Sequence, residues 1–160
     1  VGAVATPRTN TTWRSENSRT PNSPGVTRIP ELMPAGVMCA SGNDCVMEPG
    51  YSLVSGDMLE VAHMGLHVAQ MTSQAGIHQC FDAVTANAAK VMHLQGYGLE
   101  PGCDASFVLL QARDPVEAIR LRATRLKVWR KGQLLAETPA ATARLLVDGR
   151  AGATSFMPNR

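Results

Sequence analysis

The sequence predicts an α/β fold in which parallel βα units precede a small antiparallel sheet. Two short apolar runs, Gly2–Ala5 and residues 37–40, alternate with helical segments, as parallel βα units do. Between residues 57 and 72 the apolar side chains follow helical spacing. Further along, Lys131 and Gly132 separate two segments of β character, which indicates a hairpin.

The amino-terminal part is predicted to hold two buried strands with a loop and a short helix between them. Pro7 ends the first strand. Residues 8–26 are rich in Ser, Thr and Asn and show no periodicity, so we predict a long surface loop there. Thr27 is the expected cap of a helix at 27–35, because Pro30 then falls in the first turn, where proline is tolerated.

Three helices are predicted in the middle of the chain. The first begins after Asp57, whose carboxylate suits a helix cap. The second covers about residues 78–84, and the third covers 86–94 with Thr85 as its cap. Gly96 then ends the helical part.

The remainder of the chain changes to β character. Its predicted elements are, in order, a strand at 105–110, a helix at 116–122 started by Asp114, strands at Arg125–Arg130 and Gln133–Glu137, and a strand at 143–147. The last dozen residues are expected to be frayed. Two βα units are too few for a closed barrel, which needs about eight strands. We therefore expect part of a larger domain.

Composition excludes several classes of function. Fifteen Lys and Arg face thirteen Asp and Glu, and a net charge of +2 gives no electrostatic surface for nucleic acid or an anionic membrane. No apolar run approaches the roughly 20 residues that span a bilayer. The four cysteines have neither the spacing of a metal knuckle nor that of a disulfide framework. We predict free thiols in a reducing compartment, the cytoplasm.

Two stretches carry a resemblance to a known family. Residues 25–51, GVTRIPELMPAGVMCASGNDCVMEPGY, and residues 57–71, DMLEVAHMGLHVAQM, resemble cytosine deaminases of the amidohydrolase superfamily. Residues 85–110 are similar to the closing segment of amidohydrolases in general. Together the resemblance suggests the carboxy-terminal part of a cytosine deaminase-like enzyme.

This resemblance implies a particular fold. Residues 1–100 are expected to be the last strands and helices of a (β/α)8 TIM barrel, beginning at its seventh strand. Residues 101–148 are expected to be the carboxy-terminal part of a small β-sandwich, and residues 149–160 a tail. The missing amino-terminal half of the same enzyme is the implied partner, and the full-length enzyme is expected to be a homo-oligomer.

The resemblance also implies a reaction, the hydrolytic deamination of cytosine or a related amino-substituted ring. Asp44 matches the family's aspartate that binds a divalent metal, Fe or Zn, and moves a proton. A metal lowers the pKa of bound water from about 15.7 to about 7, and a neighbouring carboxylate can accept its proton. The other ligands of the family do not occur at matching positions of this chain. A small nucleobase-like molecule is the implied substrate.

Three positions around this aspartate depart from the family. Cys45 stands where the family typically has an aspartate that contacts the pyrimidine ring, and Asn43 stands where a histidine is common. Gly50 replaces a tryptophan, which removes a large apolar wall from the pocket. Cys45 and Gly50 are therefore predicted to bind substrate and to admit a differently substituted ring.

Several alternatives remain open on the sequence. The substrate could be another ring, such as a methylated cytosine or a triazine. The chain could also be a truncated, non-catalytic piece that only packs against other subunits, because a catalytic metal usually takes at least three protein ligands. The isolated chain is predicted to be inactive. His63 and His67 share one helix face, but Met64 replaces the glutamate of zinc proteases, so packing is the predicted use of this pair.

Overall fold

The computed structural model describes residues 1–13, 25–49, 51–147 and 150–153. The helices in these ranges are α1 (Pro7–Trp13), α2 (Ile29–Leu32), α3 (Met58–Val68), α4 (Gln74–Ala83), α5 (Ala86–Val91) and α6 (Pro115–Leu121). The strands are β1 (Gly2–Ala5), β2 (Met38–Ser41), β3 (Phe107–Leu110), β4 (Arg125–Arg130), β5 (Gln133–Glu137), β6 (Arg144–Val147) and β7 (Arg150–Ala153). None of the helices in the described ranges is long and apolar enough to cross a bilayer.

β1 and β2 form a parallel pair, as the sequence predicts for the first part of the fold. Gly2 lies opposite Met38, and Ala5 lies opposite Ser41. The two strands therefore end level with each other, and the segments that follow them leave from the same edge.

α3 is the longest of these helices, and its start follows directly from the sequence. The Asp57 carboxylate accepts hydrogen bonds from the amides of Leu59 and Glu60, at 2.8 and 3.2 Å, and so caps the free end of the helix. The apolar stripe that predicts the helix is also its buried face, since Leu59, Val61 and Leu66 are all buried. Periodicity and packing therefore agree here.

A single apolar cluster holds the helices against the parallel strands. Ile119 and Ala118 of α6 lie in this cluster with residues of α3, α4 and β2. Ile119 is fully buried. The buried members of this cluster are Ala5, Ile29, Cys39, Leu59, Ala62, Leu66, Met71, Cys80, Ala118, Ile119 and Ala123.

The antiparallel sheet has the order β3-β4-β5. β4 and β5 are joined by the predicted two-residue turn, in which Lys131 and Gly132 both have positive φ, 49° and 80°. Positive φ at both positions is the geometry of the tight hairpin turn that matches strand twist. A tilted ring contact between Phe107 and Trp129, with 4.8 Å between ring centroids and 34° between ring planes, joins β3 to β4.

Three expectations differ from the structure near the amino terminus and at the end of the chain. Residues 8–13 are not loop, because Pro7 occupies a helix start and the Asn10 amide donates to the Thr6 carbonyl. The rest of that predicted loop, residues 14–24, lies outside the described residues. The helix at 27–35 is shorter than expected, and its cap position is Arg28, without a side-chain capping bond.

β7 is a strand that the sequence did not reveal. It pairs antiparallel with β6, with Arg144 opposite Ala153 and Val147 opposite Arg150. Strand pairing of this kind depends on a partner rather than on local periodicity, which explains why the segment reads as frayed. The division of the chain at residues 100 and 148 stays a prediction.

Candidate active site

The parallel strands place a loop and a helix at one edge of the fold. α1 follows β1, and residues 42–57, here called the β2–α3 loop, follow β2. The amide of Gly42 donates to the carbonyl of Ala5 at 2.9 Å, which extends the pairing one step beyond the strands. The loop residues that follow Gly42 therefore lie beside the start of α1.

Asp44 lies in this loop, just beyond the carboxyl end of β2. Its side chain is exposed, and its φ is 67°, in the left-handed region. Asp and Asn tolerate this conformation better than most residues with a side chain. The backbone thus turns sharply at Asp44, and a carboxylate stands at the edge where parallel strands end.

Asn43, the preceding residue, is 8% exposed. Its carbonyl accepts a hydrogen bond from the Thr9 hydroxyl at 3.2 Å, and its Nδ2 lies 3.8 Å from the sulfur of Met58. Its Oδ1 finds no hydrogen-bond partner among the described residues. A buried acceptor without a partner is costly, so this oxygen is available to a donor that enters the site.

Cys45 follows Asp44 and is half-buried. A hydrogen bond to the Glu48 carboxylate, together with burial and the negative charges of Glu48 and Asp44, raises the pKa of its thiol to about 11. The thiol therefore stays protonated at neutral pH. Cys45 offers the site a small apolar surface and a weak donor rather than a charge.

An ion pair closes the other end of the β2–α3 loop. Arg8 of α1 lies 2.6 Å from Glu60 of α3, between Nη1 and Oε1, and its Nη2 donates to the Leu53 carbonyl at 2.9 Å. The Ser55 hydroxyl donates to the second oxygen of Glu60, also at 2.9 Å. The hydrogen bond from Arg8 holds the pKa of Glu60 below its usual range. Both charges are thus used to fasten the loop.

The chain is similar to known proteins in both sequence and structure. The sequence model of the amidohydrolase family matches residues 3–136. The chain belongs to the amidohydrolase family. No curated protein has a sequence that matches it significantly.

Solved structures of amidohydrolase-type enzymes resemble the chain closely. 5-Methylcytosine deaminase from Klebsiella pneumoniae, liganded with 5-fluorocytosine, superposes with a TM-score of 0.85 at 29% identity over 91% of this chain. The same enzyme liganded with phosphonocytosine gives a TM-score of 0.83 at 29% identity, over 88% of this chain and 35% of its own. The predicted resemblance to cytosine deaminase-like amidohydrolases is therefore confirmed.

A second enzyme of related chemistry is also similar. N-isopropylammelide isopropylaminohydrolase from Burkholderia multivorans matches with a TM-score of 0.68 and 30% identity, over 72% of this chain and 30% of its own. The chain spans only 35% of the length of the Klebsiella enzyme in its complex with 5-fluorocytosine. These comparisons confirm an amidohydrolase-like α/β fold that corresponds to part of each enzyme.

The described residues of this chain do not form a complete metal site. Within the described ranges, no group of three or more His, Cys, Asp and Glu side chains is arranged to hold a metal ion. Asp44 offers one carboxylate. His63 and His67 lie together on α3, with ring centroids 4.7 Å apart in an edge-on arrangement, and burial lowers the pKa of His63. The residues in these ranges therefore do not fit a catalytic metal by themselves.

The structure brings together two of the residues predicted from the sequence and adds others. Asp44 and Cys45 lie side by side at the end of β2, whereas Gly50 lies outside the described residues. Arg8 and Thr9, which the sequence did not single out, reach the same loop. The sequence feature that could have pointed to Arg8 and Thr9 is their position, because they follow Pro7 directly after a predicted parallel strand.

Proposed function

We propose that the chain is part of a hydrolytic deaminase that removes the amino group from a cytosine-like ring and releases ammonia. The observation that carries the proposal is the place of Asp44, at the carboxyl end of a parallel strand pair in a fold that matches 5-methylcytosine deaminase over 91% of this chain. Active sites of β/α barrels lie at that end of the strands. Residues 1–100 would then be the end of a TIM barrel, and residues 101–148 part of a β-sandwich.

The proposed chemistry needs one group that moves a proton. The oxygen of water attacks the ring carbon that bears the amine, and the Asp44 carboxylate accepts the proton that the water loses. Asp44 then delivers this proton to the departing nitrogen, the carbon–nitrogen bond breaks, and ammonia leaves. An exposed carboxylate on a sharp turn at the end of the parallel strands suits both transfers, because it is accessible to an entering ring.

Cys45 is the proposed contact with the ring. A neutral thiol is smaller and less polar than the aspartate that the family typically has there, so a substituted ring meets less repulsion. Gly50 is proposed to leave further room at the same wall. We therefore propose that a ring with an added substituent, such as methylated cytosine, is accepted together with cytosine.

The rest of the enzyme is part of the proposal. Asp44 would be one ligand of Fe or Zn, and the remaining ligands would come from the amino-terminal half of the same enzyme. We propose that the complete enzyme is a homo-oligomer in the cytoplasm. Sequence upstream of Val1 in the gene is then expected to encode, in frame, an HxH strand and two further histidines.

A longer in-frame protein that contains residues 1–160 tests the role of Asp44. Ammonia release from cytosine and 5-methylcytosine is measured for this protein and for Asp44→Asn, which keeps the side-chain shape and the tolerance of positive φ. We expect kcat to fall by about 1000-fold, as when a positioned acid–base group is lost. Asp104→Asn, another exposed aspartate, is the matched control. Equal activity in the three proteins would contradict the proposal.

A second arm of the same assay addresses the ring. Cys45→Asp is expected to shift the ratio of kcat/KM values toward cytosine by about 10-fold or more, since a buried methyl group is worth about 1–3 kcal/mol. An enzyme that already prefers plain cytosine, and whose preference is unchanged by Cys45→Asp, rules out the proposed contact.

The competing proposal is a packing role without catalysis. Large apolar side chains at the surface favour it, among them Leu99, which is 85% exposed, and Leu135, which is 56% exposed. Such surfaces mark contacts with other protein segments. Under this proposal the gene has no in-frame metal-ligand histidines upstream, and no protein that contains the chain releases ammonia.

A further inference from the structure

The β2–α3 loop has little regular structure to hold its shape. In it, an isolated bridge pairs Glu48 with Tyr51. Asp44, Met47 and Gly56 all have positive φ, at 67°, 51° and 76°. A segment with so many turns depends on contacts from outside itself to stay in one conformation.

The first outside contact comes from Thr9, at the beginning of the loop. Thr9 is 6% exposed, and its hydroxyl donates to the Asn43 carbonyl at 3.2 Å. The same hydroxyl interacts with the Cys45 thiol, where it opposes the effect of Glu48 on the pKa. Thr9 therefore touches the residues on both sides of Asp44.

The second outside contact comes from Arg8, at the end of the loop. Its side chain is 11% exposed, and its guanidinium divides its donors between Glu60 and the Leu53 carbonyl. Glu60 connects Arg8 to a second loop residue, because its other carboxylate oxygen accepts a hydrogen bond from the Ser55 hydroxyl. A planar guanidinium holds its donors in a fixed fork that spans these two acceptors, whereas a lysine ammonium presents its three donors from a single nitrogen on a flexible stem.

We infer that Arg8 and Thr9 act as a two-point clamp that positions the β2–α3 loop and, with it, Asp44 and Cys45. Two consecutive residues of α1 hold opposite ends of one loop, and Pro7, the first residue of α1, is buried beside Gly65 of α3. Arg8 and Thr9 are positioning residues. The inference rests on the proposed function only for its effect on catalysis.

The clamp is tested first on the chain of residues 1–160. Arg8→Met removes the guanidinium, Arg8→Lys keeps the charge, and Thr9→Val removes the hydroxyl without changing the shape. Arg28→Met is the matched control, since Arg28 pairs with Glu31 at the surface with 78% of its side chain exposed. Two readouts are taken, amide hydrogen exchange over the β2–α3 loop and the rate at which iodoacetamide alkylates each cysteine.

Arg8→Met and Thr9→Val are both expected to speed exchange in the loop and alkylation of Cys45 by about 10-fold, as local opening becomes easier. Cys80, which is 6% exposed in the helical core, reports on global unfolding and should keep its rate. Arg8→Lys should rescue less than half of the effect. An unchanged loop in both variants, or equal acceleration at Cys45 and Cys80, contradicts the clamp.

The catalytic consequence is measured in the longer protein. Arg8→Met should lower kcat about 10-fold and also raise KM, because the loop carries both the proton-transfer group Asp44 and the proposed ring contact Cys45. Loop exchange that responds in a protein without deaminase activity supports the clamp and contradicts the proposed function. If activity depends on Asp44 but hydrogen exchange in the loop is unchanged in the Arg8 and Thr9 variants, the result supports the proposed function and contradicts the clamp.

Discussion

The helical region and the antiparallel sheet of this chain are stabilised in different ways. In the helical region Val61 and Ile119 are fully buried, whereas in the sheet Leu134 and Leu135 of β5 are 44% and 56% exposed. Each residue of β5 is exposed. Burial of apolar surface holds the first region, and backbone hydrogen bonds with cross-strand pairs hold the second.

The difference explains where the candidate site can be rigid. The β2–α3 loop ends at Asp57, which caps the most deeply packed helix, and its start is tied to β1. The antiparallel sheet would be a weaker support, because its edge strand β5 is exposed along its whole length. An ion pair between Asp57 and Arg125 of β4 connects the two regions, and Leu110 of β3 packs against the helical core.

The largest effect expected from this comparison is on stability. Ile119→Ala should lower the free energy of unfolding by about 3 kcal/mol, because it leaves a cavity in a closed core. Leu135→Ala, an equivalent truncation in the sheet, should cost about 0.5 kcal/mol or less. Urea denaturation of the chain measures both, and similar losses in the two variants would remove the distinction between the regions.

The next largest loss of stability is expected at the ion pair between Asp57 and Arg125. Asp57→Ala should cost about 1–2 kcal/mol, since it removes the cap of α3 as well as the ion pair. Asp57→Asn keeps the capping oxygen, and Arg125→Met removes the pair alone, so each should cost about 0.5 kcal/mol. Circular dichroism, recorded as urea is added, follows the loss of helix in each variant. Equal losses for Ala and Asn at position 57 would show that the cap contributes nothing.

A pH effect should be confined to the helical region, because no histidine occurs between residues 94 and 160. Burial, followed by the nearby His67 and Arg122, lowers the pKa of His63 below its ordinary value of 6.5. The unfolded chain then binds a proton more readily than the folded chain, so stability declines as pH falls below 6.5 toward the lowered value.

The measurement is the urea midpoint at about pH 7.5 and about pH 5.5. His63→Gln should reduce the fall between these conditions. A fall of the same size in His63→Gln and the unaltered chain would mean that His63 is not responsible.

The smallest effect is expected in the hairpin turn of the sheet. Lys131 is exposed and has a φ of 49°, a conformation in which asparagine is more comfortable. Lys131→Asn should therefore stabilise the chain by about 0.5 kcal/mol. The substitution keeps the hydrogen bond from the backbone amide of residue 131 to the Ser106 hydroxyl. A destabilised variant in the urea assay would argue against the turn geometry.

Local patterns predicted most of the regular elements. The hairpin strands Arg125–Arg130 and Gln133–Glu137 coincide with the prediction, and α3 and α6 begin at their predicted aspartates. Each has a strong local signal, either alternation around a turn or a cap before an apolar stripe. α1 has neither signal, so its sequence predicts a loop.

By itself, the sequence determined the order of strands and helices except for α1 and β7, together with the resemblance to the family and the prominence of Asp44 and Cys45. Only the tertiary structure decided which side chains meet at the β2–α3 loop. Arg8 reaches Leu53 across 45 residues of sequence, and Thr9 reaches Asn43 across 34. Propensity and periodicity report on neighbours within a few turns, whereas these contacts exist because two parallel strands end at one edge.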